Sequence, residues 1–231
     1  MKLCVDTEIT TYATGNAFSR RNHLCCVSVR SDNDGVTRCI KWEHNGEPVS
    51  ADNVSYLQDA LNRALLVIGF AIKFDLHWLR RCGIIEGYSF ENLQIWDCQL
   101  AQFVIQCQSE RYPSLDKSCA YFNLGQKSTI IEKEYWDRGI DTDQVPWEIL
   151  EEYANRDVDL TWELYQAQQK YLTDKPALLR LIKLSCMDTL VLAEMEYNGL
   201  KYDVEESLKR AAQKQQEIDE IERQVKSICR I

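Results

Sequence analysis

No apolar stretch in this sequence approaches the ~20 residues that a membrane-spanning helix needs. The opening MKLCVDTE carries acids by position 6, which is not the pattern of a secretory signal. Neither CxxC nor HxxxH occurs, so the usual zinc spacings are excluded despite ten cysteines. Cys25 and Cys26 are adjacent, and the other eight are scattered through apolar runs. They read as reduced, mostly buried thiols of a cytoplasmic protein, in the host cytoplasm if the source is viral. Positive charge is also short: 27 Lys and Arg face 36 Asp and Glu, for a net charge of -9. That argues against gripping duplex DNA by its backbone. Any nucleic-acid affinity is expected to be local, modest and metal-dependent. Internal repeats and low-complexity segments are absent.

What is present is a core-forming chain of 231 residues with 45% hydrophobic side chains. Residues 2–6, 24–30 and 36–42 read as strands, short and rich in Val, Cys and Ile, with the turn signal DNDG at 32–35. Residues 53–65 have helical period, with Asp52 or Asn53 as the expected cap. LVIGF at 66–70 reads as a buried strand, followed by a helix beginning FDLHWLRRC. A brief strand leads to Asp97 and another helix, and 114–122 is a further helix. Residues 123–146, with Gly, Asp and Pro spread through them, read as loop. Beyond Pro146 nearly everything reads as helix: 146–171, 176–197 and 203–229. The composition shift near Asp174-Lys175-Pro176 gives an expected division into 1–174 and 175–231.

Four acids and a tyrosine carry the chemistry. Asp6 and Glu8 in KLCVDTEIT are spaced i, i+2, which in a strand puts both carboxylates on one face. Asp75 follows the short strand in VIGFAIKFDLHWL, and Tyr153 and Asp157 are spaced i, i+4 in EEYANRDVDLTWELY, one face of a helix. Such a cluster cannot stay charged without cations, and oxygen donors of this kind suit divalent magnesium or manganese. Two such ions close together are a recurring device for phosphodiester hydrolysis.

The order DTE, FD, YxxxD resembles the 3′→5′ exonuclease domains of the DEDD superfamily, in the branch with tyrosine in the last motif. The resemblance covers residues 2 to about 172. It implies an α/β fold: a ribonuclease H-like mixed sheet flanked by helices, followed here by an all-helical C-terminal appendage. A second segment, LVLAEMEYNGLKYDVEESL at 190–208, is similar to the start of the polymerase region in phage-like family A DNA polymerases. Its physics agrees, because Gly199 suits a left-handed helix stop and Asp203 an N-cap with Glu206 three residues on. The resemblance implies two-metal hydrolysis of single-stranded DNA from its 3′ end, releasing nucleoside monophosphates, as a proofreading module. Its partner would be the remainder of a family A polymerase, in cis or in trans. Asp6, Glu8 and Asp157 then match ligands of one metal, Mg2+ or Mn2+, and Asp6 with Asp75 those of the second. Tyr153 matches the residue that orients the attacking water, and Thr7 and Phe74 lie with the substrate.

One position departs from the family pattern: Ala71 stands where an asparagine often precedes the second motif's Asp by four residues. A ribonuclease D-type RNA exonuclease shares the same five residues and stays open as an alternative. So does a non-catalytic DNA-binding or tethering module, although none of the five residues is lost. His77, Arg80 and Arg81, and the group Arg20, Arg21 and His23, read as solvated surface. Tyr12 and Phe18 could stack on a base or cover the core, and Trp136 and Trp147 are expected to pack.

Overall fold

Strand β1 (Lys2–Ile9) is the central strand of the sheet, and its runs of consecutive buried residues reflect cover on both faces. A computed structural model describes residues 1–86 and 93–229. On one edge β1 pairs antiparallel with β2 (Leu24–Ser31), which pairs antiparallel with β3 (Thr37–Lys41). On the other edge β1 runs parallel to β4 (Leu66–Gly69), and β4 runs parallel to β5 (Gln94–Asp97). The sheet order is therefore β3-β2-β1-β4-β5, a mixed sheet flanked by helices as expected.

The two edges of β1 differ in length, and that difference positions the site. Pairing with β2 continues to Ile9, so the strand outlasts the expected end at residue 6. Pairing with β4 covers only Lys2 to Cys4. At Gly69 the chain turns so tightly that a β-carbon would lie 2.8 Å from Ile72 Cγ1. Beyond Cys4 the β4-side edge of β1 must find other hydrogen-bond partners.

Helix α1 (Ala51–Asn62) begins earlier than expected. Ser50, in extended conformation, accepts the Asn53 N–H at 3.2 Å and is the cap in place of Asp52 or Asn53. The Asn53 amide instead reaches the Lys41 carbonyl at 2.7 Å. Helices α2 (Lys73–Arg81), α3 (Cys98–Ile105) and α4 (Leu115–Tyr121) follow. Asp97 caps α3, accepting the amides of Gln99 and Leu100.

The segment 123–146 is not plain loop. It holds α5 (Ile130–Glu134) and single 3-10 turns at Trp136–Arg138 and Thr142–Gln144. Ile131 and Val145 are fully buried in a small second core with Cys25, Cys26, Leu150 and Tyr153. A five-residue helix is too short to display a period, so the sequence pattern could not reveal it.

Helix α6 (Trp147–Tyr171) crosses β1 to β4 with one buried face. That face includes the polar residues Asp157, Thr161 and Gln168. Gln168 is well satisfied: it accepts from Trp96 Nε1 at 3.0 Å and donates to the Cys98 carbonyl at 2.9 Å. Helix α7 (Pro176–Asn198) buries Ile182, Cys186, Leu190 and Ala193. The expected division at 174/175 falls on the turn before α7, whereas the compact unit runs from Met1 to Tyr197.

The second unit begins at Asn198 and holds α8 (Val204–Cys229). Gly199 has φ +68, and Asp203 Oδ1 accepts the Glu206 amide at 2.9 Å, as the sequence predicts. No α8 residue is buried, and its ion pairs are internal, such as Arg210 with Glu206 at 2.8 Å.

Candidate active site

Asp6 and Glu8 project from the same face of β1, within the strand rather than past its end. Helix α6 brings Asp157 onto that face. The three carboxylates can each offer an oxygen such that all lie within 4.8 Å of one another. Glu8 and Asp157 are buried, and Asp6 is half-buried.

Asp75 lies in the first turn of α2 and is also buried. Its Oδ1 accepts both the Thr7 amide, at 2.9 Å, and the Thr7 hydroxyl, at 2.6 Å. Here the open edge of β1 finds its substitute partner: a carboxylate takes the place of a strand. Asp75 stands outside the three-carboxylate group, and the Thr7 hydroxyl is engaged within the protein.

The sequence analysis overlooked Lys127. Its Nζ lies 2.6 Å from Asp157 Oδ2, with the side chain mostly buried. Oδ1 of Asp157 is buried and has no hydrogen-bond partner among the described residues. The backbone around Lys127 is fastened from two sides. Its amide donates to Asp116 Oδ1 at 2.8 Å, and Arg156 Nε donates to the Gln126 carbonyl at 3.3 Å. Gly125 permits this close approach, since a β-carbon there would lie 2.2 Å from Arg156 Nη2. An isolated lysine in a segment without period carries no sequence signal of burial.

Tyr153 is buried one turn before Asp157. Trp136 packs edge-on against its ring at 6.1 Å and anchors its own indole N–H on Thr142 Oγ1 at 3.1 Å. Trp147 packs similarly against His44 at 5.5 Å. Both tryptophans behave as expected.

The electrostatics follow from three buried acids and the half-buried Asp6, with one lysine among them. Burial pushes the Asp6 carboxyl up from 3.8 to about 7, with the Asp157 charge adding and Lys127 opposing. Burial, then Asp6 and Asp157, hold Glu8 well above the usual carboxylate range. Asp75 is raised by burial and by Asp6, against the two hydrogen bonds from Thr7. Asp157 is raised by burial even though Lys127 pulls it down. Tyr153 is raised by burial, Glu8 and Asp157. Ionising the cluster therefore requires cations. An all-oxygen donor set with one orphaned, buried oxygen fits a hard divalent ion.

Around this cluster the other candidates divide. Phe74 is 38% exposed and borders a cavity of about 500 Å³ lined also by Ala71, Phe103, Tyr112 and Leu192. Phe18 is exposed, with its ring edge-on to His77 at 5.1 Å, and Tyr12 lies under the Arg21 guanidinium at 3.6 Å. His77 is not a surface residue. It is buried, with Nε2 2.9 Å from Glu196 Oε2, because the end of α7 covers that side of α2. Arg80 pairs with Glu194 and stacks on Tyr197 at 3.5 Å. Arg81 donates to the carbonyls of Ala17, Ser19 and Asn22, clamping the loop after β1. Neither arginine is a merely solvated charge. In the remaining basic group His23 Nε2 lies 3.5 Å from Asp143, and Arg20 is exposed.

Comparison with known proteins agrees with this geometry. Residues 2–173 match the family DNA_pol_A_exo1, described as 3′-5′ exonuclease. DNA polymerase I of Treponema pallidum is 25% identical over 197 residues, covering 80% of this chain, which spans only 19% of that protein. Among solved structures, Brucella melitensis NrnC with bound Mg2+ superposes with a TM-score of 0.59 at 19% identity, covering 88% of this chain and 89% of that one. The family B DNA polymerase of Pyrobaculum calidifontis gives 0.53 at 14% identity, covering 84% of this chain and 27% of that one. At these identities the structural likeness speaks for the fold alone, a ribonuclease H-like exonuclease fold. With the acidic cluster lying inside the matched region, the chain belongs to the 3′-5′ exonuclease domain family of DNA polymerase I-type enzymes.

Proposed function

We propose that this chain hydrolyses single-stranded DNA from its 3′ end to nucleoside monophosphates, as the proofreading module of a family A DNA polymerase. The observation that carries the proposal is the packing of half-buried Asp6 with buried Glu8 and Asp157 within 4.8 Å, with one oxygen orphaned. Nothing in a structural role explains that arrangement, since an unpaired buried acid costs several kcal/mol. Asp6, Glu8 and Asp157 would hold one divalent ion, Mg2+ or Mn2+, and Asp6 with Asp75 a second. Such ions, when bound, supply Lewis acidity: they offset charge on the phosphate and make water a competent nucleophile near neutral pH.

The chain's own residues do the positioning. The Tyr153 hydroxyl holds the attacking water in line, on a ring that Trp136 keeps from turning. Thr7 fixes Asp75 with two hydrogen bonds, so its part in substrate handling runs through that carboxylate. Phe74, exposed beside Asp75, gives the terminal base a face to stack on. The net charge of -9 leaves the cations as the main attraction for phosphate. The segment 190–208, with its Gly199 stop and Asp203 cap, resembles the polymerase start and favours DNA over RNA.

The test is digestion of 3′-labelled single-stranded DNA and matched RNA, with Mn2+ and with a chelator. Release of labelled mononucleotide from DNA in Mn2+ alone is expected. Release from RNA only would move the reading to a ribonuclease D-type enzyme, and no release from either would end it.

A further inference from the structure

Lys127 belongs to none of the three recognised motifs, yet its ammonium sits beside the carboxylate cluster, 2.6 Å from Asp157 Oδ2. It also lies beside Tyr153, 5.4 Å from the ring centroid. Its placement is built rather than incidental. Asp116, Arg156 and the close approach at Gly125 hold the backbone on either side of it. A surface lysine needs no such scaffold.

We propose that Lys127 is a positioning residue that sets both Asp157 and Tyr153 for hydrolysis, an inference that rests on the nuclease reading above. The chemistry follows from the donor inventory. A lysine ammonium has three donors and no acceptor, whereas a phenol has one donor and lone pairs that accept. Lys127 occupies Asp157 Oδ2 and leaves Oδ1, the orphaned oxygen, as the one that faces a cation. The same ammonium, beside the ring, would donate toward the Tyr153 oxygen. The phenolic proton cannot then point at Lys127 and is turned to the attacking water. One side chain thus fixes which oxygen of Asp157 ligates and which way the Tyr153 hydroxyl donates.

The test uses the full chain and two readouts. Lys127→Met is expected to lower kcat on single-stranded DNA by about 10- to 100-fold, with little change in KM, because misorientation costs on that order. Calorimetry with Mn2+ and no nucleic acid should show binding tightened several-fold, since a competing cation has left Asp157. Tyr153→Phe should also lower kcat, and the double variant should be scarcely worse than the worse single one. Unchanged kcat, weakened Mn2+ binding, or losses that multiply in the double variant would each overturn the assignment. Weakened Mn2+ binding in particular would mark Lys127 as a structural prop. Should Lys127→Met fail to fold, Lys127→Gln removes the charge while filling the space, and the same outcomes decide. If the unaltered chain cleaves nothing, the nuclease reading fails, while the Mn2+ titration still separates a lysine that competes at Asp157 from one that props the loop.

Discussion

At the scale of single residues, Asp157 shows what the site demands: one oxygen meets Lys127 and the other meets nothing among the described residues. Asp6→Asn and Asp157→Asn keep the shape and remove the charge. A lost metal ligand removes several kcal/mol of transition-state stabilisation, so each variant is expected to lose about two to four decades in rate while staying folded. Half-normal activity in either would refute the metal assignment. The raised carboxylates also fix a pH dependence. Asp6 titrates at 3.8 when unperturbed and at about 7 when folded, so the folded state binds its proton more tightly. Its contribution to stability is full at pH values below the unfolded value and is lost as pH rises through about 7. The metal-free protein should therefore melt at a lower temperature at about pH 8 than at about pH 6, with Mn2+ binding tightening over the same range. Equal melting temperatures in chelator would contradict this. Ala71 adopts φ 56, where a β-carbon is strained and asparagine is better tolerated. Ala71→Asn should stabilise by a few tenths of a kcal/mol and lower KM more than it alters kcat. A raised kcat at constant KM would argue for a chemical role instead. Asp6 with Glu8, and Tyr153 with Asp157, were legible as pairs because strand and helix periods put each pair on one face, whereas Asp75 was read only from its place after a short strand. Lys127 was not legible, because its burial is imposed by contacts with Asp116 and Arg156 that no local period reveals.

Among the elements, the strands and long helices followed their periods, and the misses share a cause. His77 reads as surface on α2 alone and is buried only because α7 arrives more than a hundred residues later. The cap of α1 went to Ser50, since the residue in extended conformation before the helix does the capping, not the first acid within it. Caps also supply a graded test. Ser50→Ala removes one acceptor and should cost about 1 kcal/mol in urea unfolding. Asp97→Ala strands the amides of Gln99, Leu100 and Ala71 together, the last at 3.1 Å, in a buried setting. It should cost about 2 kcal/mol or more. Equal costs would mean that Asp97 is only a cap and does not tie α3 to the turn carrying Ala71.

For the whole molecule, the two units should differ in dynamics. The first buries the motif-bearing elements in a continuous core, whereas no α8 residue is buried. Hydrogen exchange should be slow in α6 and fast throughout α8 at dilute concentration. Uniform protection would show that α8 is packed in solution. Its exposed stripe of Val204, Leu208, Ile218, Ile221 and Val225 has coiled-coil spacing, so protection that rises with concentration would instead reveal self-association. Composition placed a division at residue 174, beside the end of the family match at residue 173, and the compact unit takes in α7 as well. That helix is apolar on its outer face too, with Leu184, Met187, Val191 and Met195 exposed, so no change of pattern marks where burial ends.

The early end of the β1–β4 ladder has one more consequence. An unpaired strand edge is a template on which a foreign strand can add. Here the bare stretch carries Asp6 and Glu8 and is capped by Asp75 through Thr7. The acids that would gather cations are thus expected also to keep a foreign strand off this edge. Alanine at several of these positions would disarm the enzyme and unguard the edge together, so loss of activity in such variants would be confounded with loss of solubility. Single, isosteric amides separate the two.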